Sequence, residues 1–307
     1  MLLAPFKNNM LHPDQITRMI HRILSIVVAL FLLHLSFVQA DQSILLEWSK
    51  NDTYYEGQNR NYFYKPKTTS LYYSSGLNES WSLGASLWQS ESSERFDSDQ
   101  IRLEENASGA AININYQKED WSVNLGLSVS ETDLDIGSLV LPIFSEEQGK
   151  NRDINLSVDY FLSFERLDIV PTLGLGSQKF KQVSTGSIPP FIFSRDDEQT
   201  SSYVFADLVL STWFEISQFS LLQPSIQLGW TEVLSGQSSI TTRIVSSKGR
   251  PLRPNSSASN DNTDGSGYIG LSLSLLIDDF QLGFSHSKTL ALDINSDTSA
   301  VEFGVLF

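Results

Sequence analysis

The sequence predicts an all-β protein, a transmembrane antiparallel β-barrel of about twelve strands with short periplasmic turns and long extracellular loops. Three observations predict it. Runs of about ten residues alternate apolar with small or polar side chains, and a β-strand places alternate residues on opposite faces. The connections between these runs alternate between very short and long, which is typical of outer-membrane barrels. The first forty residues have the layout of an export signal.

The alternation is clearest between Trp121 and Ser130, where odd positions carry large apolar side chains and even positions carry Ser, Asn or Gly. The same pattern recurs along the chain from Asp41 onward. We therefore expect twelve strands, near residues 43–50, 69–76, 80–90, 107–117, 120–130, 152–164, 167–178, 202–214, 219–232, 267–277, 279–288 and 298–307. An even number of strands places both ends of the chain on the side of the short turns.

A soluble β-sandwich is the alternative, since its strands also alternate, with the apolar face inward. The predicted strands are about ten to thirteen residues long, against about five or six in soluble proteins. Their polar faces carry Ser, Gly, Asn and Thr, rather than the charged residues that usually coat a sheet exposed to water. Both features favour the membrane barrel.

The connections fall into two classes. The long ones are hydrophilic, and the longest extends from Glu232 to Gly265. The tight ones are Asn78-Glu79, Lys118-Glu119, Glu165-Arg166, Glu215 to Gln218 and Asp278-Asp279.

Residues 1–40 are predicted to be a signal peptide that is cleaved after Ala40, which leaves residues 41–307 as the barrel. Arg18 and Arg22 form a basic region, an almost wholly apolar run extends from Ile23 to Val38, and Val38-Gln39-Ala40 resembles a cleavage site. About sixteen apolar residues are short for a membrane anchor. Translation from Met1, Met10 or Met19 is left open.

Composition excludes several kinds of chemistry. The chain has no cysteine, so disulfides and thiolate metal sites are excluded. Its net charge is −15, and residues 41–307 carry 18 basic and 35 acidic residues, a net charge of −17. Nucleic acid is not an expected partner, because binding it needs clustered Lys and Arg. His286 is the only histidine outside the predicted signal peptide.

Aromatic residues flank the predicted short turns. In outer-membrane barrels, aromatic side chains at this level form a girdle at the membrane interface. The predicted periplasmic girdle consists of Trp81, Tyr116, Trp121, Phe164, Phe214 and Phe280.

The last predicted strand alternates Val301, Phe303, Val305 and Phe307. An alternating strand with a terminal aromatic resembles the signal that the barrel assembly machinery reads, although Gly304 lies closer to the end than the usual glycine. We therefore expect that machinery and periplasmic chaperones as partners, and the outer membrane of a Gram-negative bacterium as the location.

Two stretches resemble the β-domain of autotransporters, a twelve-stranded barrel. Residues 154–176 include Ser157-Val158-Asp159-Tyr160, a tight turn, and Val170-Pro171-Thr172-Leu173-Gly174; residues 222–230 repeat the Pro-to-Gly pattern. Proline near the start of a strand forfeits little of the hydrogen-bond ladder. The resemblance implies an outer-membrane barrel of the autotransporter-domain type.

In that family a passenger domain precedes the barrel and a helix threads its pore. Here the first predicted strand starts close to Asp41, so we expect no secreted passenger.

A lipid-acting barrel enzyme is an alternative, because His286 lies between Ser285 and Ser287 as outer-membrane phospholipase A has His and Ser on one strand. A serine nucleophile needs an imidazole within hydrogen-bond reach and a third group to orient it. Strand parity places His286 on the lipid face instead, and the Ser-Asn-Gly context of that enzyme is missing. An omptin-like protease meets the same objection, and zinc needs several His or Cys ligands. We therefore predict no enzyme activity, no cofactor and no metal site.

The remaining predictions concern the interior and the loops. Strand parity places Glu47, Asp159 and Asp207 on the lumen face, where acidic groups favour cations in a pore. They equally suit hydrogen bonds within a closed lumen. The role is therefore expected to be structural, surface-exposed or porin-like for small solutes, with a surface adhesin acting through residues 232–265 as another alternative. The solute and the oligomeric state are left open.

Lipid and lipopolysaccharide of the outer membrane are the other expected partners. Acidic loop residues suit divalent cations that bridge lipopolysaccharide, but a solvated loop is the favoured interpretation. These residues are Glu91, Glu94, Asp97, Asp99, Glu104 and Glu105.

Overall fold

The structure is a computed structural model that describes residues 42–56, 61–96, 101–138, 144–188, 191–246, 251–258, 265–290 and 294–306. The predicted signal peptide, residues 1–40, lies outside these residues, so its cleavage stays a prediction. Among the described residues, no helix is long and apolar enough to cross a membrane.

The described part of the chain consists mainly of sixteen strands that pair with one another antiparallel. Their bounds are β1 Gln42–Glu56, β2 Asn61–Tyr64, β3 Lys67–Gly76, β4 Trp81–Phe96, β5 Ile101–Lys118, β6 Trp121–Ser138, β7 Phe144–Tyr160, β8 Leu162–Phe164, β9 Leu167–Ile188, β10 Phe191–Thr212, β11 Phe214–Ser217, β12 Ser220–Ser246, β13 Pro251–Ala258, β14 Ser266–Ile277, β15 Phe280–Leu290 and β16 Ile294–Leu306.

Twelve of these strands close into a barrel. In order around the ring they are β1, β3, β4, β5, β6, β7, β9, β10, β12, β14, β15 and β16, and β16 pairs with β1 to close it. The short strands β8 and β11 continue β7 and β10 beyond Phe161 and Trp213. The strands β2 and β13 pair only with β1 and β12, at the ends of those strands that lie far from the short turns. Closure gives each of these twelve strands a hydrogen-bonded neighbour on both sides. The predicted twelve-stranded antiparallel barrel is confirmed.

The five short connections lie at one end of the barrel, as predicted. Residues 77–80, 119–120, 165–166, 218–219 and 278–279 form these turns. Glu119, Glu165 and Asp278 have φ values of 53°, 51° and 48°, and two-residue hairpins require a positive φ of this kind. One boundary was wrong, because residues 214–217 form β11 and the turn follows at 218–219.

At the other end, most of the chain predicted as long loops is strand. β12 continues to Ser246 and pairs there with β10 and β13, so most of the predicted loop from Glu232 to Gly265 is hydrogen-bonded sheet. Glu91, Glu94, Glu104 and Glu105 likewise belong to β4 and β5 and not to a loop; Asp97 and Asp99 lie outside the described residues. Both faces of these segments are largely polar, so the apolar alternation that reveals a strand disappears while the ladder continues.

Apolar side chains cover the outside of the barrel. Among the described residues, only Ala107 and Ala300 are buried apolar side chains, and most of the buried polar ones are serines. Large apolar groups are exposed instead, such as Leu173 at 68% and Leu175 at 57%. This distribution is the reverse of a soluble core, and it suits a barrel with lipid outside.

Candidate functional site: the lumen wall

The two faces of β1 show how the wall is built. Ile44, Leu46 and Trp48 are 40–49% exposed on the outer face. Glu47 and Ser49 alternate with them and therefore point to the lumen. Register partners share a face, so the lumen side of each neighbouring strand follows from the pairing. By this rule Glu47, Asp159 and Asp207 all lie on the lumen side.

Asp159 on β7 is held by three donors. Ser122 Oγ and Asn124 Nδ2 donate to Oδ2 at 2.9 and 2.6 Å, and Thr172 Oγ1 donates to Oδ1 at 2.7 Å. Ser122 is 1% exposed. These bonds tie β6, β7 and β9 together on the lumen side, and hydrogen bonds to a charged acceptor are stronger than neutral ones.

Asp207 on β10 lies two strands from Asp159 in the same row, since Thr172 on the intervening β9 is the register partner of both aspartates. Tyr268 donates its hydroxyl hydrogen to Asp207 Oδ1 at 2.9 Å and accepts a bond from Gln227 Nε2 at 2.7 Å. Gly229 lies between these groups, and a Cβ there would overlap the Tyr268 ring and the Asp207 carboxylate. The glycine therefore makes room for the pair.

Glu47 faces a second carboxylate across the seam that closes the barrel. Its register partner on β16 is Glu302, and the residue on its other side is Ser70 of β3. Among the described residues, neither glutamate has a cation or a hydrogen-bond donor within bonding distance. Two like charges directly opposite each other repel, so this pair places two carboxylates, which lack a neutralising partner in the described part of the chain, side by side at the seam.

Sequence reasoning missed further lumen carboxylates, of which Glu302 and Asp153 lie in the same part of the wall as the three predicted ones. Glu302 lies between Val301 and Phe303. Only the apolar residues of that strand, which form its outer face, were used to interpret it, so Glu302 was not considered. Asp153, which accepts bonds from Tyr203 OH at 2.7 Å and Asn155 Nδ2 at 3.0 Å, precedes the apolar run of β7. Applying strand parity to every acidic residue, instead of only the apolar ones, would have found both.

Basic residues are scarce on the lumen side. Within the described barrel strands, Arg195 is the only Lys or Arg whose parity points inward, and it pairs with Asp197 at 3.0 Å in the outer part of β10. The part of the wall that carries Glu47, Asp153, Asp159, Asp207 and Glu302 thus has no inward cation among the described residues. Its electrostatic character is acidic.

The wall also has a recess of about 230 Å³. It lies where an irregularity in the β10–β12 register follows Ser202. The recess is lined by Gln178, Phe180, Gln199, Ser201 and Val233. Amide, hydroxyl and aromatic groups meet there without a charge, so the recess suits a small neutral polar group.

His286 and its neighbouring serines, which the lipid-acting enzyme alternative would need together, lie on opposite faces of β15. Ser285 and Ser287 have lumen parity, while His286 points outward, where its Nδ1 lies 3.0 Å from Ser299 Oγ. Among the described residues no carboxylate bonds the imidazole, so the third group of a triad is not present in this arrangement. The described residues also contain no group of three or more acidic or histidine side chains able to hold a metal ion.

Four of the six aromatic residues assigned to the girdle directly flank short turns: Trp81, Trp121, Phe164 and Phe280. Residues 117–118 separate Tyr116 from the turn at 119–120, and residues 215–217 separate Phe214 from the turn at 218–219. Trp81 and Tyr116 have ring centroids 4.8 Å apart, and Tyr116 and Trp121 are 5.9 Å apart. Phe164, Phe214 and Phe280 are 57%, 46% and 53% exposed. Val301, Phe303 and Val305 lie on the outer face of β16, whereas Phe307 is outside the described residues. A girdle role and an assembly role stay predictions.

Comparison with known proteins identifies the family. The profile described as autotransporter beta-domain matches residues 49–287. The translocator domain of the autotransporter NalP from Neisseria meningitidis is similar in structure, with a TM-score of 0.65, 12% identity, and coverage of 95% of this chain and 96% of that one. The β-domain of the Bordetella autotransporter Brka is also similar, with a TM-score of 0.59, 13% identity, and coverage of 88% of this chain and 100% of that one. No curated protein sequence is detectably similar. The chain belongs to the autotransporter β-domain family of outer-membrane barrels.

Proposed function

We propose that the barrel is a conduit for small solutes across the outer membrane, with a preference for cations. The observation that supports this most is the facing pair Glu47 and Glu302, which has no neutralising partner among the described residues. Rings of acidic side chains favour cations in a pore. Asp153, Asp159 and Asp207 add negative charge to the same wall.

The carboxylates of the wall differ in whether they accept hydrogen bonds from the wall itself, and this difference indicates which of them can act on a passing ion. Asp159 accepts three bonds, so most of its bonding capacity is used within the wall. Glu47 and Glu302 accept none from the described residues, so their charge is available to a passing ion. Selectivity should therefore depend on the glutamate pair more than on Asp159.

Conductance of the purified chain in planar bilayers, under a gradient of KCl, tests the proposal. We expect channels whose reversal potential shows cation preference, and we expect Glu47→Gln with Glu302→Gln to reduce that preference. Glu165→Gln with Glu215→Gln is the matched control, because it removes the same charge from the short-turn end. No conductance, anion preference, or equal selectivity in the glutamine variant would contradict the proposal.

We further propose that the barrel is inserted with the help of periplasmic chaperones and the barrel assembly machinery, and that its outer face contacts lipid and lipopolysaccharide. The apolar outer face of β16, with Val301 45% and Phe303 50% exposed, supports the first point. The exposed apolar band supports the second. No catalytic step is assigned to the chain.

A further inference from the structure

Four basic side chains lie together on the outer face of β7 and β9. Lys150, Arg152, Lys179 and Lys181 are all exposed. Lys150 is the register partner of Lys181, and Arg152 is the partner of Lys179. We call these four residues the basic patch.

The basic patch places like charges directly opposite each other on neighbouring strands, which is unfavourable. Directly opposite side chains have Cβ atoms about 5 Å apart, and like charges placed there destabilise the sheet. Here two such pairs are adjacent on the same two strands. In a chain of net charge −15, a cluster of four cations is also contrary to the overall composition.

Neighbouring acids neutralise only half of the basic patch. Lys150 Nζ lies 2.8 Å from Glu131 Oε1, and Lys179 Nζ lies 2.6 Å from Glu198 Oε1. The hydrogen bond from Lys179 lowers the pKa of the Glu198 carboxyl, with a smaller contribution from Lys181. Within the described residues, Arg152 and Lys181 have no ion pair. Glu198 is also the register partner of Lys181, so one carboxylate faces both lysines of β9. Four cations and two acids leave the basic patch with a net charge of +2 on an outward surface.

The position of the basic patch relative to the apolar band defines its environment. On β7 the next outward residues toward the short turns are Ile154 and Leu156, 48% and 42% exposed, and Leu175 and Leu173 follow on β9. On the opposite side, the next outward pair is Gln148 and Val183, which is uncharged. The cations thus lie directly at the extracellular edge of the lipid-facing surface.

This arrangement suits a ligand with acyl chains and negatively charged phosphates. Its chains would cover the leucines and its phosphates would lie against the cations, which relieves their mutual repulsion. Arg152 offers a planar guanidinium, which matches phosphate oxygens in two parallel bonds. Phosphates at the extracellular edge of an outer-membrane barrel belong to the outer leaflet, where the phosphorylated glycolipid is lipopolysaccharide.

We propose that the basic patch binds the lipid A phosphates of one lipopolysaccharide molecule, an inference that rests on the proposed contact of the outer face with lipopolysaccharide. Arg152 and Lys181 make the phosphate contacts, while Lys150 and Lys179 neutralise Glu131 and Glu198, so that these two acids do not repel the phosphates. Ile154, Leu156, Leu173 and Leu175 contact its acyl chains.

Thermal unfolding of the full barrel in neutral detergent, without divalent cations, tests this. A ligand that binds only the folded state raises the unfolding midpoint, and the rise grows with the logarithm of the ratio of ligand concentration to Kd. The probes are bisphosphorylated lipid A, monophosphorylated lipid A and phosphatidylglycerol. We expect bisphosphorylated lipid A to stabilise most, and we expect its effect to disappear in about 1 M NaCl, where the screening length is only about 3 Å.

Variants then locate the site. Arg152→Ser with Lys181→Ser should weaken the apparent affinity for bisphosphorylated lipid A roughly tenfold, through loss of two charge-assisted contacts. Lys118→Ser with Arg166→Ser is the matched control, because it removes the same charge at the periplasmic turns, and it should bind as the unaltered chain does. Equal affinity in the Arg152 and Lys181 variant would overturn the proposal. So would equal stabilisation by phosphatidylglycerol, or stabilisation of the unaltered chain that salt does not reduce.

Discussion

At the scale of single residues, the lumen carboxylates differ in how they are satisfied. Asp159 accepts hydrogen bonds from Ser122, Asn124 and Thr172, whereas Glu47 and Glu302 face each other. A buried donor that loses its acceptor costs more than the bond itself contributes. The first group should therefore matter for stability and the second for the passage of ions.

Replacing Asp159 with Asn should destabilise the barrel by about 1–3 kcal/mol, because one carboxylate oxygen is replaced by a donor that opposes the donors of Ser122 and Asn124. Unfolding in urea, followed by tryptophan fluorescence in lipid vesicles, measures the change. Asp168→Asn is the control, since Asp168 accepts one exposed bond from Ser163 at 2.7 Å. An equal loss in both variants would show that the network around Asp159 has no special weight.

At the scale of strands, glycines on the lumen side let aromatic rings of the next strand lie against the wall. A Cβ on Gly174 of β9 would overlap the ring of Phe205 on β10, and one on Gly176 would overlap Tyr203. These rings lie side by side, with centroids 6.1 Å apart. The rings of Phe205 and Tyr203 therefore pack directly on the backbone of β9 at glycines, where a larger residue would not fit.

Gly174→Ala should therefore destabilise the folded barrel by about 1–3 kcal/mol, because Phe205 must move. Adding Phe205→Ala should remove most of the penalty, which a double-mutant cycle in urea would measure. Gly270→Ala is the control, since a Cβ there meets Ser287 Cβ at an ordinary 3.5 Å. If Gly174→Ala costs no more than Gly270→Ala, the close approach of Phe205 is not required.

At the scale of the whole molecule, the barrel closes through strands from opposite ends of the chain. Ser49 on β1 and Ala300 on β16 are register partners on the lumen side, 8% and 5% exposed. Such partners are close enough for a disulfide. The chain has no cysteine, so an introduced pair reports on closure without competing thiols.

Ser49→Cys with Ala300→Cys should form a disulfide on mild oxidation of the membrane-inserted barrel, because closure sets the two residues opposite each other. A shift in electrophoretic mobility that a reductant reverses would detect it. Ser49→Cys with Ser285→Cys is the control, because Ser285 lies one strand further around the ring and too far to bridge. Bridging of the control pair, or none in the test pair, would contradict the observed order of strands.

The short turns and the apolar strands were readable from the sequence because their signals are local. Trp121 to Ser130 alternates strictly, and Lys118-Glu119 and Asp278-Asp279 interrupt two such runs. The outer halves of β9, β10 and β12 were not readable. Ser, Thr and Gln there have no apolar period, and only hydrogen bonds to neighbouring strands make those segments sheet.

The sequence by itself determined the fold class, the number of barrel strands and the inward side of Glu47, Asp159 and Asp207, because a period of two assigns each residue to a face. Tertiary structure decided which residues meet across strands. The pairs Glu47 with Glu302, Asp159 with Thr172, and Lys150 with Lys181 depend on register. Register is set by closure of the whole ring, and residues as distant as Glu47 and Glu302 become neighbours only when the last strand pairs with the first.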